Sequence, residues 1–506
     1  MNRRDLLRVS AMGAQAAVGS ASAQTTNGAA QVSASKSGQV RAERPPNILW
    51  VCSDQQRFDT IEGLNNSHVH TPNLRRFMGE AVTFTHAFVQ NPVCSPSRAS
   101  FLTSRYPHTT GLCMNGQRIR ASERLVTRTL ADFGYTCGLA GKLHLSPCAG
   151  GRVEDRIDDG YSRVWWSHDI QNLWPGQNMW RVWLEAQGVQ WPERLRDPAG
   201  VPIDPKYMQT DWCADRAIDF MREQRAFGPW LMSVNIYQPH HPFLPAKDYL
   251  DRYDPEKLPA PAWQKGELDS KTAYQRTAQA IPNYPFLKMD DLARRRVTAA
   301  YYAMIEQVDS AFGRMLKALE DSGQADNTIV IYMSDHGEML GDHGFYLKGP
   351  HFYDPATRVP LMIRWPKHYR AGLQCDALIE MLDLAPTLLE AAGIPVTEGM
   401  QGEPLTSLLT GETAKHRDSV YSEFRDVRPR PEPSITASSV RTGTAKLTVY
   451  HDLATGELYD LGKDPGEFRN LWNEPNARPL REEMTETLLH RLAATADPLP
   501  VRKAPW

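Results

Sequence analysis

A chain of 506 residues with 41% hydrophobic and 23% charged residues can bury one large core and a smaller one beside it. A formal net charge of −2, without a block of like charge, argues against nucleic acid as a partner. No apolar stretch of about 18 residues occurs, which argues against stable membrane insertion. The seven cysteines, odd in number and irregular in spacing, read neither as a disulfide framework nor as a C-x-x-C site.

Residues 1–23 read as an export signal of the twin-arginine type. Arg3-Arg4 precede a weakly apolar run, and Ala21-Ser22-Ala23 offers a small-residue cleavage site. This predicts a periplasmic or secreted protein. Residues 24–44, rich in Ala, Ser, Thr and Gln, read as a flexible leader outside the fold. The apolar run 47–52 predicts a buried strand that ends in Ser53-Asp54. Helices are expected over 72–80 and over 122–133, the second closed by Gly134. A strand over 135–140 then runs into Gly141-Lys142-Leu143-His144. Residues 165–202 have many Trp, Gln, Arg and Pro and no period. They predict a surface insertion that shapes a substrate pocket, with Trp165, Trp166, Trp174 and Trp180 in it.

Farther on, 211–224 has helical periodicity, and the strand 230–236 leads into Gln238-Pro239-His240-His241-Pro242. The longest helical pattern spans 290–322, with Met304, Val308, Phe312, Met315 and Leu319 on one face. The strand 328–333 runs into Ser334-Asp335-His336-Gly337. Strands alternating with long helices predict an α/β fold, a mostly parallel central sheet flanked by helices, over 45–415. Short strands at 419–424, 438–442, 445–450 and 457–459, then a helix over 477–494, predict a smaller C-terminal antiparallel-sheet subdomain over 416–506. Asp54, Lys142, His240 and Asp335 each follow a predicted strand. Sites in open α/β sheets lie beyond the carboxyl ends of the strands, so these four are expected in one crevice.

The densest motif is Cys94-Ser95-Pro96-Ser97-Arg98-Ala99-Ser100, followed by Phe101-Leu102-Thr103-Ser104-Arg105. Pro96 suits a first helical turn, whose free N–H groups and dipole favour an anion, and Arg98 adds a fork of donors. The run resembles the C-x-P-S-R signature of the formylglycine-dependent sulfatases in the alkaline phosphatase superfamily. Ser104 stands where the family usually has Gly. The resemblance implies that a formylglycine-generating enzyme oxidises Cys94, and that the chain hydrolyses sulfate esters to an alcohol or phenol plus inorganic sulfate.

The same resemblance implies a divalent metal held by Asp54, Gln55, Asp335 and His336 beside residue 94. Many members carry Asp-Asp and Asp-Asn in place of these two pairs. A hard-oxygen set favours Ca²⁺ or Mg²⁺, while the imidazole admits Mn²⁺; Ca²⁺ is the first expectation. By resemblance, Lys142 contacts the formylglycine and sulfate, and His144 is the base that releases sulfate. His240 and Lys348 bind the sulfate and serve the leaving oxygen. His240 is preferred to His241 because it directly follows the proline of a Pro-His-x-Pro pattern. Asn115, 21 residues after Cys94, is a candidate ligand for a substrate oxygen. His343 reads as structural.

The competing enzyme reading is a phosphonate monoester or phosphodiester hydrolase of the same superfamily. Such members tend to have Tyr and Thr where this chain has Lys142 and His144, which favours sulfate. A non-enzymatic binding protein would be expected to have lost catalytic groups that are all present here. The sequence names neither the alcohol half of the ester nor an oligomeric state, and a homo-oligomer is compatible with it.

Overall fold

The structure, a computed structural model, describes residues 44–501 apart from 65, 149–150, 172–173, 193–194, 280–282 and 427–433. The export-signal and leader expectations lie outside the described residues, but for Arg44. From Arg44 onward the chain forms one compact unit.

Its centre is strand β1 (Asn47–Ser53), an apolar run buried on both sides, as a strand covered by helices on both faces must be. Leu49 and Val51 face one core; Ile48, Trp50 and Cys52 face the other. The remaining strands of this sheet are β2 (Val82–Phe88), β3 (Thr136–Gly141), β4 (Tyr161–Trp166), β5 (Trp230–Ile236), β6 (Thr328–Ser334), β7 (Arg358–Arg364), β8 (Gln374–Cys375) and β9 (Ile379–Glu380). The order is β4-β3-β5-β1-β6-β7-β2-β8, with β9 also on β2. Only β7 runs against its neighbours among the described strands.

Register fixes where the chemistry emerges. Ser53 at the end of β1 pairs with Ile236 of β5 and with Ser334 of β6, and Gly141 of β3 pairs with Asn235. Four parallel strands therefore end level, and the residues that follow leave at one edge. Gly141 cannot be replaced there. Its φ is +107°, and a Cβ would lie 1.9 Å from the Asn235 carbonyl oxygen.

Helices α1 (Cys94–Thr103), α2 (Gln209–Gln224) and α3 (Asp291–Asp321) flank the sheet, with α2 packed along α3. Asp290 caps α3 by accepting from the Ala293 N–H at 2.7 Å. A second sheet, β10 (Ser419–Asp426), β11 (Ile435–Thr442), β12 (Ala445–Tyr450) and β13 (Thr455–Asp460), is antiparallel in chain order, and α4 (Arg478–Ala494) lies on it. Among the described residues no helix is long and apolar enough to cross a membrane.

Two expectations need correction. The helix expected over 122–133 spans only Val126–Asp132, because Leu125 before it is extended, with φ −75° and ψ 147°, and Glu123 pairs instead with the buried Arg105 at 3.0 Å. The stretch 165–202 is not a pure surface insertion. Trp165 and Trp166 complete β4, and a helix spans Met179–Ala186, capped by Asn178. Trp166, Trp174 and Trp180 are buried, so these rings pack the interior.

Candidate active site

Helix α1 starts at the level where β1 and β6 end, and its first residue is Cys94. The Cys94 sulfur lies 3.1 Å from His336 Nε2 and 3.8 Å from Asp54 Oδ1. Lys348 Nζ donates to the same sulfur at 3.1 Å. Arg98, one turn into the helix and fully buried, spans the carboxylates. Its Nε donates to Asp335 Oδ2 at 2.8 Å and a terminal nitrogen to Asp54 Oδ2 at 3.4 Å. Its other terminal nitrogen donates to the Lys142 carbonyl at 2.9 Å, tying the end of β3 to the helix.

The donor set suits a divalent cation. One ligand atom each from Asp54, Cys94, Asp335 and His336 lies within 4.8 Å of the others, all buried. His336 Nδ1 is engaged by the Gly337 carbonyl at 2.8 Å. That bond needs the proton on Nδ1 and leaves the Nε2 lone pair facing the cluster. Gln55 is turned the same way. Its amide nitrogen donates to Glu338, so its carbonyl oxygen faces inward, where Lys348 Nζ reaches it at 2.7 Å. Gln55 holds a left-handed φ of +69° to do this.

Around this cluster lies a cationic wall. Lys142 Nζ is 2.5 Å from Asp54 Oδ2. Burial lowers the pKa of its ammonium, but Asp54 and Cys94 together outweigh burial and keep it charged. Burial and Cys94 would raise the Asp54 carboxyl, yet the buried cations Lys142 and Arg98 hold it well below the usual carboxylate range. His240 Nε2 faces Lys348 Nζ at 2.6 Å, and its Nδ1 faces the His241 carbonyl at 2.6 Å. Burial and Lys348 lower its pKa, so the ring is neutral, with Nδ1–H donating and Nε2 accepting. His241 stacks on it at 4.2 Å between ring centres. His144 sits at a left-handed φ of +63° and interacts with the Cys94 sulfur. Burial and Lys142 lower its pKa, which keeps it free to accept a proton.

The structure thus brings Asp54, Gln55, Cys94, Arg98, Lys142, His144, His240, Asp335, His336 and Lys348 together. Asn115 is exposed at the mouth, where its side-chain oxygen accepts the Ser95 N–H at 3.0 Å and caps the start of α1. His343 lies apart, stacked on Tyr353 and paired with Glu267. Sequence reasoning missed two buried carboxylates. Glu338 orients Gln55 and accepts the Leu340 N–H at 2.8 Å. Glu154 accepts the N–H groups of His144 at 2.8 Å and Leu145 at 2.7 Å. Glu338 follows Asp335-His336-Gly337 directly and could have been found there. Glu154 stands in an irregular loop without any pattern.

Two family models cover the chain: "Sulfatase" matches residues 46–394, and "N-sulphoglucosamine sulphohydrolase, C-terminal" matches 341–494. The chain belongs to the sulfatase family. This sulfatase is 30% identical over 461 residues to an uncharacterized sulfatase, YidJ, of Escherichia coli, covering 90% of this chain and 88% of that protein. It is 27% identical over 473 residues to an arylsulfatase of Clostridium perfringens, covering 88% and 94%. Among solved structures it resembles the phosphonate monoester hydrolase of Agrobacterium radiobacter, with a TM-score of 0.80, 25% identity, and coverage of 90% of this chain and 97% of that one. This sulfatase is accordingly a sulfuric ester hydrolase on an alkaline-phosphatase-like fold.

Proposed function

We propose that this enzyme cleaves sulfate monoesters with a formylglycine made from Cys94, assisted by a divalent metal at Asp54, Gln55, Asp335 and His336. The observation that carries the reading is the placement of Cys94. It opens a helix, touches His336 and Lys348, and faces Lys142 and His144 across the crevice. Oxidised and hydrated, residue 94 would offer one hydroxyl to sulfur and keep the second for sulfate release. The metal, with Ca²⁺ preferred, would lower the pKa of that nucleophile and draw charge from the ester oxygens.

The chain's own groups divide the remaining work. Arg98 fixes both carboxylates. Lys142 and Lys348 supply positive charge where the sulfuryl oxygens and the leaving oxygen gain negative charge. Lys348, hydrogen-bonded to neutral His240, can hand a proton to the departing oxygen. His144, held neutral, takes the proton of the remaining hydroxyl as sulfate leaves. The N-terminal twin-arginine pattern supports export to the periplasm or beyond, and cell fractionation of the tagged full chain would test it.

Hydrolysis of phosphonate monoesters is the second reading, favoured by the structural likeness to such a hydrolase. Lys142 and His144 argue for sulfate. A singly charged sulfate ester leaves most of its developing charge on the leaving oxygen, where paired cations help most. The test compares kcat/KM for an aryl sulfate with those for matched phosphonate monoesters and phosphate diesters. A preference for the aryl sulfate supports the reading, and a preference for phosphonate hands the site to the second.

A further inference from the structure

Beside the crevice lies a second group of donor atoms, of which the reaction uses only His144. His144, Cys148 and His168 each present one ligand atom, all within 4.8 Å of one another. His168 is 9% exposed and His144 7%, yet His144 Nδ1 and both ring nitrogens of His168 have no hydrogen-bond partner. Three unpartnered imidazole nitrogens in one buried patch are costly, since each has lost water without gaining a partner. The rings are held in place. His168 packs edge-on against His144 at 4.8 Å, against Trp174 at 5.0 Å, and between Trp166 and Tyr237.

We propose that His144, Cys148 and His168 form a second metal site, for a thiophilic divalent ion of the zinc class, and that an ion bound there stops turnover. Two imidazoles and a thiol suit Zn²⁺ or Co²⁺ and not the hard cations expected at Asp54. A tetrahedral zinc ion needs its donor atoms about 3.3–3.6 Å apart, so the three atoms, within 4.8 Å of one another, must draw together by about 1 Å on binding. Burial and Lys142 lower the His168 pKa, which favours the neutral ring and leaves one nitrogen lone pair free for a ligand bond. Burial and Glu154 push the Cys148 thiol up to about 12, so capture of the ion releases that proton to solvent. The fourth position is left to water. The loss of turnover rests on the reading of His144 as the base for sulfate release, because a coordinated imidazole can no longer take a proton.

The experiment uses the full chain carrying its resident metal, with Cys148→Ser and His168→Gln as variants. Neither residue belongs to the reaction machinery, so both variants should keep near-wild-type rates. Titration with CoCl₂ should show one additional equivalent bound and a thiolate-to-cobalt charge-transfer band in the wild type. The band should vanish in Cys148→Ser, and affinity should fall at least about tenfold in His168→Gln. ZnCl₂ should inhibit the wild type and spare both variants. No additional equivalent, or a band unchanged in Cys148→Ser, overturns the site. Binding at the site with undiminished turnover leaves the site standing and removes His144 from sulfate release, so the two readings fail separately. Should one variant not fold, the other still decides.

Discussion

Glu154 offers a sharp test of how the crevice is held, because nothing about it is chemical. It is buried, and its two oxygens accept three hydrogen bonds: from the His144 N–H at 2.8 Å, the Leu145 N–H at 2.7 Å and Trp166 Nε1 at 2.8 Å. Two of these clamp the residue that carries the strained φ of +63°. Each charge-assisted bond contributes about 1.5–3 kcal/mol net, and the three share one carboxylate, so they do not add fully. Glu154→Ala orphans three buried donors and should cost about 3–5 kcal/mol of stability. Glu154→Gln keeps one oxygen but sets an NH₂ against an N–H, and should cost about 1–3 kcal/mol. The loosened His144 backbone should lower kcat by about a hundredfold in Glu154→Ala, with little change in KM. Chemical denaturation and steady-state kinetics on an aryl sulfate measure both. If Glu154→Ala unfolds within about 0.5 kcal/mol of the wild type and turns over normally, the clamp has no role and the argument fails.

Asp54→Ala and Asp335→Ala should each lose bound divalent metal by elemental analysis and most activity, since each removes both charge and a ligand; full activity in protein free of Ca, Mg and Mn would refute the metal assignment. His144→Ala should release about one equivalent of phenol from an aryl sulfate and then stall with sulfate retained on the intact protein by mass; steady turnover would exclude it as the release base. Asp309 reports on stability. Burial raises its pKa to about 6, against the lowering effect of hydrogen bonds from Leu74 and Asn73. Because the folded value exceeds the unfolded one, its contribution is fully present below the ordinary aspartate value of 3.8 and is lost as pH rises through about 6. Wild type should therefore gain stability relative to Asp309→Asn as pH falls across that window, and parallel denaturation midpoints would contradict this.

Much of the site was legible because its residues follow apolar runs. The strands ending at Ser53, Ile236 and Ser334 read as buried segments, and the polar residues after them could serve only a crevice. What could not be read was that the three ends are level, which depends on the pairing of Ser53 with Ile236 and Ser334. Strand β7 carries Pro360, a residue that is disfavoured inside a strand because it has no N–H to donate. In the sheet it falls opposite the register shift between Phe84 and Ala87 of β2, where a missing N–H is tolerated. Glu154 and His168 carry no local pattern, because their partners come from distant turns. The C-terminal sheet was foreseen as strands but not as a support. Tyr450 donates to the Pro350 carbonyl at 2.9 Å and Lys446 to the Phe352 carbonyl at 2.9 Å, steadying the loop that carries Lys348.

The central claim is that residue 94 acts as an oxidised cysteine. The direct measurement is peptide mass spectrometry of Cys94 in preparations made with increasing amounts of a formylglycine-generating enzyme, each assayed on an aryl sulfate. Turnover should rise in proportion to the fraction of Cys94 converted to aldehyde, and a folded Cys94→Ala variant should show none. Full turnover from protein whose Cys94 is an unconverted thiol, or near-wild-type activity in Cys94→Ala, would contradict it.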